Sequence, residues 1–292
     1  MPATFSFTSG DGTVLRGWRN EGPGVPLVIS NGLGTVPSAW PALVSASSGY
    51  DACTWHHRGT FGSARPADPS RIRVEDHADD LLALMDHLGI ERALVVGWSI
   101  GVNVAFEMAQ RHPDRVAGLM AVAGVPGGTF ATMGGPLRIP RAWRRTFSTG
   151  VARVARLAGP GLNLVTPRLP VNRHTAWLLA HSGFLRPSAR PEVLAPMLAE
   201  FLGNDWRWYF GLAVAAAEHH PMELGWLRCP VTLVAGQHDI LTSMHDVTAA
   251  ASRIPHAQVT VLPGSHFLPL EYPELLQAAL GELARRSSLD PR

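Results

Sequence analysis

The stretch Ala93-Leu94-Val95-Val96-Gly97-Trp98-Ser99-Ile100-Gly101-Val102 decides how the rest of this chain reads. An apolar run leads into a serine with a glycine two positions away on each side, and Val102 to Gln110 then continues with helical periodicity. Ser99 therefore lies between a strand and a helix. The small flanking residues let the backbone bend sharply, which holds the hydroxyl exposed at the carboxyl end of a sheet. The peptide N–H of Ile100 opens the helix, so the helix dipole stands behind it and favours an oxyanion formed when Ser99 attacks a carbonyl. A lone glycine-flanked serine is more often a helix cap, but the strand before and the helix after argue for a nucleophile.

A nucleophilic serine needs a base, and the base needs a carboxylate to orient it. Both follow at strand ends. Pro230 to Ala235 reads as a buried strand and runs through Gly236-Gln237-His238 into Asp239. Val259 to Leu262 reads as the next strand, and Pro263-Gly264-Ser265 delivers His266. Asp239 is the only acid just after its strand; His245 and His256 lie in and after a helical stretch, away from a strand end.

The G-x-S-x-G turn and the order Ser99, Asp239, His266 resemble the α/β-hydrolase family over nearly the whole chain outside a variable middle segment. The resemblance implies Ser99 as nucleophile, His266 as general base and then acid, and Asp239 as orienter of the imidazole. It also implies a second oxyanion donor in Asn31-Gly32-Leu33-Gly34-Thr35, where the Leu33 N–H pairs by position with that of Ile100. The family usually has His-Gly there; Asn31 departs from it, is expected to brace the loop, and makes the segment similar to the enol-lactone hydrolases. His56-His57-Arg58-Gly59-Thr60-Phe61-Gly62-Ser63 replaces the family's Asp-x-Arg-Gly-x-Gly-x-Ser, and Arg58 is expected to be structural. The histidine pair is not expected to bind a metal, since neighbours on a strand point to opposite faces.

Strand signals at Phe5-Phe7, Val14-Arg19, Leu27-Ser30, Ala52-His56, Leu94-Gly97, Val116-Ala123, Val231-Ala235 and Val259-Leu262 alternate with helices after the third, notably Val74 to Gly89 and Leu275 to Arg285. The expected fold class is α/β: the α/β-hydrolase fold, with a mostly parallel eight-stranded sheet flanked by helices and an inserted helical cap. Residues 1–125 and 228–292 would form the two parts of the core and residues 126–227 the cap, with Gly127-Gly128 and Gly134-Gly135-Pro136 as its hinge.

At 46% hydrophobic and 16% charged, the 292 residues can build a substantial core and are not those of a disordered chain. No apolar run approaches the ~20 residues that span a bilayer. The amino terminus Met1-Pro2-Ala3-Thr4-Phe5 has no basic and apolar leader, so the cytoplasm is the expected location. Cys53 and Cys229 are expected as free thiols. A net charge of +2 without a nucleic-acid motif excludes that partner class from the expectation. All 25 basic residues are arginine, so Schiff-base and P-loop lysine chemistry are absent.

Eleven arginines and no acid lie between Asp114 and Glu192, a one-sign stretch that attracts anions. Within it Trp143, Phe147, Val151, Val154 and Ala158 recur at steps of three and four, with Arg141, Arg144, Arg145, Arg153 and Arg156 on other faces. The stripe is expected to pack on the core and line the pocket with the arginines solvated; the other reading has the arginines meeting a phosphate or carboxylate on the substrate, or an anionic membrane or carrier. Trp98, Trp143, Phe147, Trp206 and Phe267 are the expected substrate contacts.

The expected activity is hydrolysis of a carboxylic ester, thioester or lactone of a largely apolar small molecule through an acyl-enzyme, with no metal or organic cofactor. The alternatives are a carbon–carbon bond hydrolase of a diketone-like substrate, or a non-catalytic small-molecule receptor on the same fold.

Overall fold

A computed structural model describes residues 3–133, 139–182, 185–186, 188–287 and 289. Eight strands form one sheet: β1 (Ala3–Thr8), β2 (Val14–Arg19), β3 (Val25–Ser30), β4 (Tyr50–Trp55), β5 (Ala93–Trp98), β6 (Val116–Val122), β7 (Val231–Gly236) and β8 (Gln258–Leu262). Their order is β1-β2-β4-β3-β5-β6-β7-β8. The first hairpin and the β2–β4 pair are antiparallel, and every other pair is parallel. Strands β5, β6 and β7 are buried at every position, which is why they read as unbroken apolar runs rather than alternating ones.

Helices cover both faces. α1 (Val74–His87), α2 (Gly101–Arg111), α7 (Met244–Ala251), α8 (Leu268–Glu271) and α9 (Pro273–Arg286) belong to the sheet. Four helices come from the segment between β6 and β7: α3 (Arg141–Val165), α4 (Arg173–Ala180), α5 (Pro191–Leu202) and α6 (Trp206–Ala217). The buried apolar side chains divide into two clusters, one on each face of the sheet. The proposed hinge Gly134-Gly135-Pro136 lies outside the described residues; Gly127 and Gly128 both have positive φ.

Arg58 is wholly buried and structural. Its Nε and Nη2 donate to both carboxylate oxygens of Asp80 on α1 at 2.8 and 2.7 Å, and its Nη1 donates to Asp11 at 2.5 Å. Burial alone would raise the Asp80 carboxyl, but hydrogen bonds from Arg58 and His77 hold it below the usual range. The Arg58 carbonyl accepts from Trp208 Nε1 on α6 at 2.7 Å, so this cage also anchors the inserted segment. His57 turns its ring to His77 and His56 turns to Phe61. Cys53 and Cys229 are free thiols.

The apolar stripe of α3 does not pack on the core. Trp143, Phe147, Val151 and Val154 are exposed, and Ala158 with them. The helix instead turns its small residues inward: Ala152 is buried, and a Cβ on Gly159 would lie 2.5 Å from the backbone of Arg207 on α6. Close backbone approach between α3 and α6 thus selects the narrow face for packing, and the bulky one is left outside.

Candidate active site

Ser99 occupies the turn between β5 and α2 with a φ of 56°, a left-handed conformation that costs a non-glycine residue about 1–3 kcal/mol. The turn is locked on both sides. Ser99 N donates to the Val122 carbonyl at 2.9 Å, and Gly101 lies so close to β3 that a Cβ there would be 2.0 Å from the Ser30 carbonyl oxygen.

Ser99 Oγ stands 2.8 Å from His266 Nε2, and His266 Nδ1 stands 2.8 Å from Asp239 Oδ2. An ionised carboxylate only accepts hydrogen bonds, so Nδ1 carries the proton and Nε2 is left to accept from the serine hydroxyl. Asp239 is itself fixed, since its Oδ1 accepts from the N–H groups of Leu241 and Thr242, each at 2.8 Å. The three side chains expected to act together therefore form one hydrogen-bonded chain.

Two further residues hold the histidine loop. Trp98 Nε1 donates to the His266 carbonyl at 2.9 Å, a positioning contact made in addition to its place in the cavity wall. Buried Glu271 accepts from the N–H and hydroxyl of Ser265 at 2.7 and 2.6 Å, and from the Arg186 N–H of the inserted segment at 2.7 Å. Sequence reasoning missed Glu271. Its one signal was an acid ending the apolar run Phe267-Leu268-Pro269-Leu270 directly after His266.

The loop after β3 lies beside Ser99. Asn31 is buried: its amide donates to Thr54 Oγ1 at 3.0 Å and its carbonyl oxygen accepts from Trp40 Nε1 at 2.7 Å. Gly34 has a φ of 71°, and a Cβ there would lie 2.7 Å from the ring of Tyr209, so α6 presses directly on this loop. Leu33 and Ile100 both line the cavity that opens at Ser99.

That cavity measures about 360 Å³. Of the residues expected to contact substrate, Trp98 and Phe267 line it and Trp143, Phe147 and Trp206 do not. Trp143 and Phe147 are exposed on α3, whereas Trp206 is buried in an aromatic cluster and donates to Thr166 Oγ1 at 2.6 Å. The walls come instead from Phe130, Leu179, Leu194, Met197, Phe201 and Tyr209 of the inserted segment. Burial pushes the Tyr209 phenol up to about 12, so it stays a neutral hydroxyl. Apart from His266, no ionisable cation or carboxylate lines the cavity among the described residues.

The family model for the alpha/beta hydrolase fold matches residues 25–273. The chain belongs to the α/β-hydrolase family. It is 29% identical over 266 residues to a protein of Caulobacter sp. (strain K31) named "Putative carbamate hydrolase RutD", with 87% of this chain and 88% of the relative covered. It is 26% identical over 263 residues to 3-oxoadipate enol-lactonase 2 of Acinetobacter baylyi (strain ATCC 33305 / BD413 / ADP1), covering 89% and 88%. The enol-lactonase from Burkholderia xenovorans LB400 superposes with a TM-score of 0.71 at 21% identity, covering 96% of this chain and all of that one, a likeness of fold. The chain is thus an α/β-fold hydrolase. No helix among its described residues is long and apolar enough to cross a membrane.

Proposed function

We propose that this hydrolase cleaves carboxylic esters, thioesters or lactones whose acyl part is neutral and apolar, through an acyl-enzyme on Ser99. The observation that carries the reading is the hydrogen-bonded chain Ser99–His266–Asp239 opening into an apolar cavity. Ser99 Oγ attacks the carbonyl carbon while its proton passes to His266 Nε2, and Asp239 stabilises the imidazolium. The tetrahedral oxyanion sits between the N–H groups of Ile100 and Leu33. His266 then protonates the leaving oxygen or sulfur, which departs, and the neutral imidazole activates water against the acyl-enzyme.

The acyl preference follows from the walls. A carboxylate carried into this cavity would meet no arginine among the described lining residues and would lose its hydration uncompensated. The oxoadipate skeleton named for the Acinetobacter baylyi relative keeps a free carboxylate, so its substrate is not carried over to this chain. A lactone or ester with an aliphatic or aromatic acyl group suits the site.

Labelling with a fluorophosphonate followed by mass spectrometry should place the adduct on Ser99, and a panel of neutral p-nitrophenyl esters should compete for it. An unlabelled Ser99 in folded protein, or hydrolysis that persists in Ser99→Ala, would overturn the acyl-enzyme reading. A preference for acyl groups bearing a terminal carboxylate would overturn the substrate class alone.

A further inference from the structure

The outer face of α3 has no place in the hydrolytic site. Trp143, Phe147, Val151, Val154 and Leu157 stand at helical spacing and are from 50% (Phe147) to 84% (Leu157) exposed. At 100° per residue they fall on one side of the helix, and buried Ala152, Ser148 and Gly159 fall on the other. The helix is therefore apolar on the face that water touches, although that face has nothing to do in holding the fold. A contiguous exposed apolar patch of this kind marks an interaction surface.

Charge says what the surface meets. At the same 100° per residue Arg153 lies on one flank of this face and Arg144 on the other, while Arg145 and Arg156 fall farther round toward the buried side, Arg156 beside Gly211 of α6; Arg168 and Arg173 are exposed on the next turns of chain. Arg144 is partly engaged, donating to the Ile139 carbonyl and lying 3.7 Å from Asp246. Residues 115–191 contain no acid to neutralise any of them. A second copy of the chain is disfavoured, because a two-fold contact between such faces would set arginines against arginines. A helix of 25 residues, with apolar side chains outward, arginines along its flanks and a tryptophan near one end, matches the boundary between acyl chains and anionic headgroups.

We propose that the outer face of α3 docks on an anionic lipid bilayer. The inner face of α3 packs along α6 and against Thr129–Ala131, and Phe130, Tyr209 and Ala213 from those elements line the cavity. Docking sets the cavity one helix layer away from the lipid. The inference concerns binding and stands whether or not the acyl-enzyme reading does.

The test is co-sedimentation of the full chain with vesicles of phosphatidylcholine alone, or of phosphatidylcholine with phosphatidylglycerol. Binding should be at least about tenfold tighter to the anionic vesicles at low salt, and should weaken as the Debye length shrinks from ~10 Å at 0.1 M to ~3 Å at 1 M salt. The triple variant Val151→Ser/Val154→Ser/Leu157→Ser should lose at least about tenfold in partitioning while its Tm and its rate on a water-soluble ester stay unchanged. Arg153→Gln/Arg168→Gln should lower binding to the anionic vesicles alone. Equal binding to both vesicle types, or full binding by the triple variant, would overturn the proposal. So would a concentration-dependent dimer, seen by sedimentation velocity, that the triple variant abolishes, since a second copy would then cover the face. Capture of a cellular protein by the wild type in the absence of any vesicle binding would overturn it in favour of a protein partner.

Discussion

The loops at the carboxyl ends of the strands and the helices inserted after β6 meet at one cavity, yet different forces hold them. The strand-end side is a hydrogen-bonded lattice: Ser99, His266, Asp239, Glu271, Ser265 and the Trp98 indole each have a named partner at 2.6–2.9 Å. The inserted side meets the cavity through apolar contact, with polar ties only at its margins, such as Trp208 to Arg58 and Arg186 to Glu271. Directional bonds fix atoms to within fractions of an ångström, which bond-making chemistry requires. Apolar walls fix volume and polarity, which on the proposed reading select the acyl group. The two sides should therefore fail differently when mutated.

The largest separation is expected at Ser99 and His266. Ser99→Ala and His266→Ala should each lower kcat by at least about 10³-fold on any ester, with Tm nearly unchanged. Asp239→Asn should follow, at about 10²- to 10⁴-fold, because an amide in that position can no longer hold Nδ1 protonated or stabilise the imidazolium. Steady-state kinetics with purified, folded variants measure both. If Asp239→Asn keeps full activity, another acid serves His266 and the lattice is not the unit described.

Arg58 sharpens the comparison from the side of stability. Arg58→Met leaves the Asp80 carboxylate buried without its cation, which should cost about 3–5 kcal/mol in urea unfolding while kcat per folded molecule falls far less than in Ser99→Ala. A kcat loss of the same order as that of Ser99→Ala would mean that the cage positions reacting atoms.

Acid should act on the same part of the core. Burial, helped by the neighbouring His77, pushes the His57 imidazole from 6.5 down to about 3, and burial likewise takes His56 down to about 4. The folded state keeps both rings neutral where the unfolded chain would protonate them. Their contribution is thus complete above pH 6.5 and is lost as pH falls from there toward 4 and 3. Each can contribute up to about 1.4 kcal/mol per pH unit in that window. Urea midpoints between pH 7 and pH 4 should fall less steeply in His57→Asn; an unchanged slope would show that His57 titrates normally.

What the sequence disclosed divides along the same line. Buried parallel strands must be apolar along their length, and side chains meant to meet at one end of such a scaffold must come directly after strand ends, so the hydrogen-bonded trio Ser99, Asp239 and His266 could be found by local pattern. The cavity walls could not. Leu194, Met197 and Phe201 look like any helical apolar residues, and only the packing of α5 against the loops makes them walls. The α3 stripe had a legible period but not a legible direction, because the residue that sets its direction is Gly159, through a backbone contact with α6. Pro160 sits within α3, so a Gly-Pro-Gly run that reads as a break is spanned by helix.

The smallest effects, and the most direct measure of the inserted side, should come from acyl length. Each methylene moved from water into the cavity contributes at most ~0.8 kcal/mol, so kcat/KM should rise by up to about fourfold per added carbon along a series of neutral p-nitrophenyl esters. The rise must stop when the space of about 360 Å³ is filled. Filling it in advance tests whether these walls are responsible: Leu194→Trp should move the optimum to a shorter acyl chain and leave the rate on an acetyl ester nearly unchanged, since the strand-end lattice is untouched. Phe201→Ala should move it the other way. If neither substitution shifts the optimum, the acyl group occupies some other surface. If Leu194→Trp instead depresses the acetyl ester as strongly as the long ones, the α5 wall supports the lattice directly, and the division between the two regions fails.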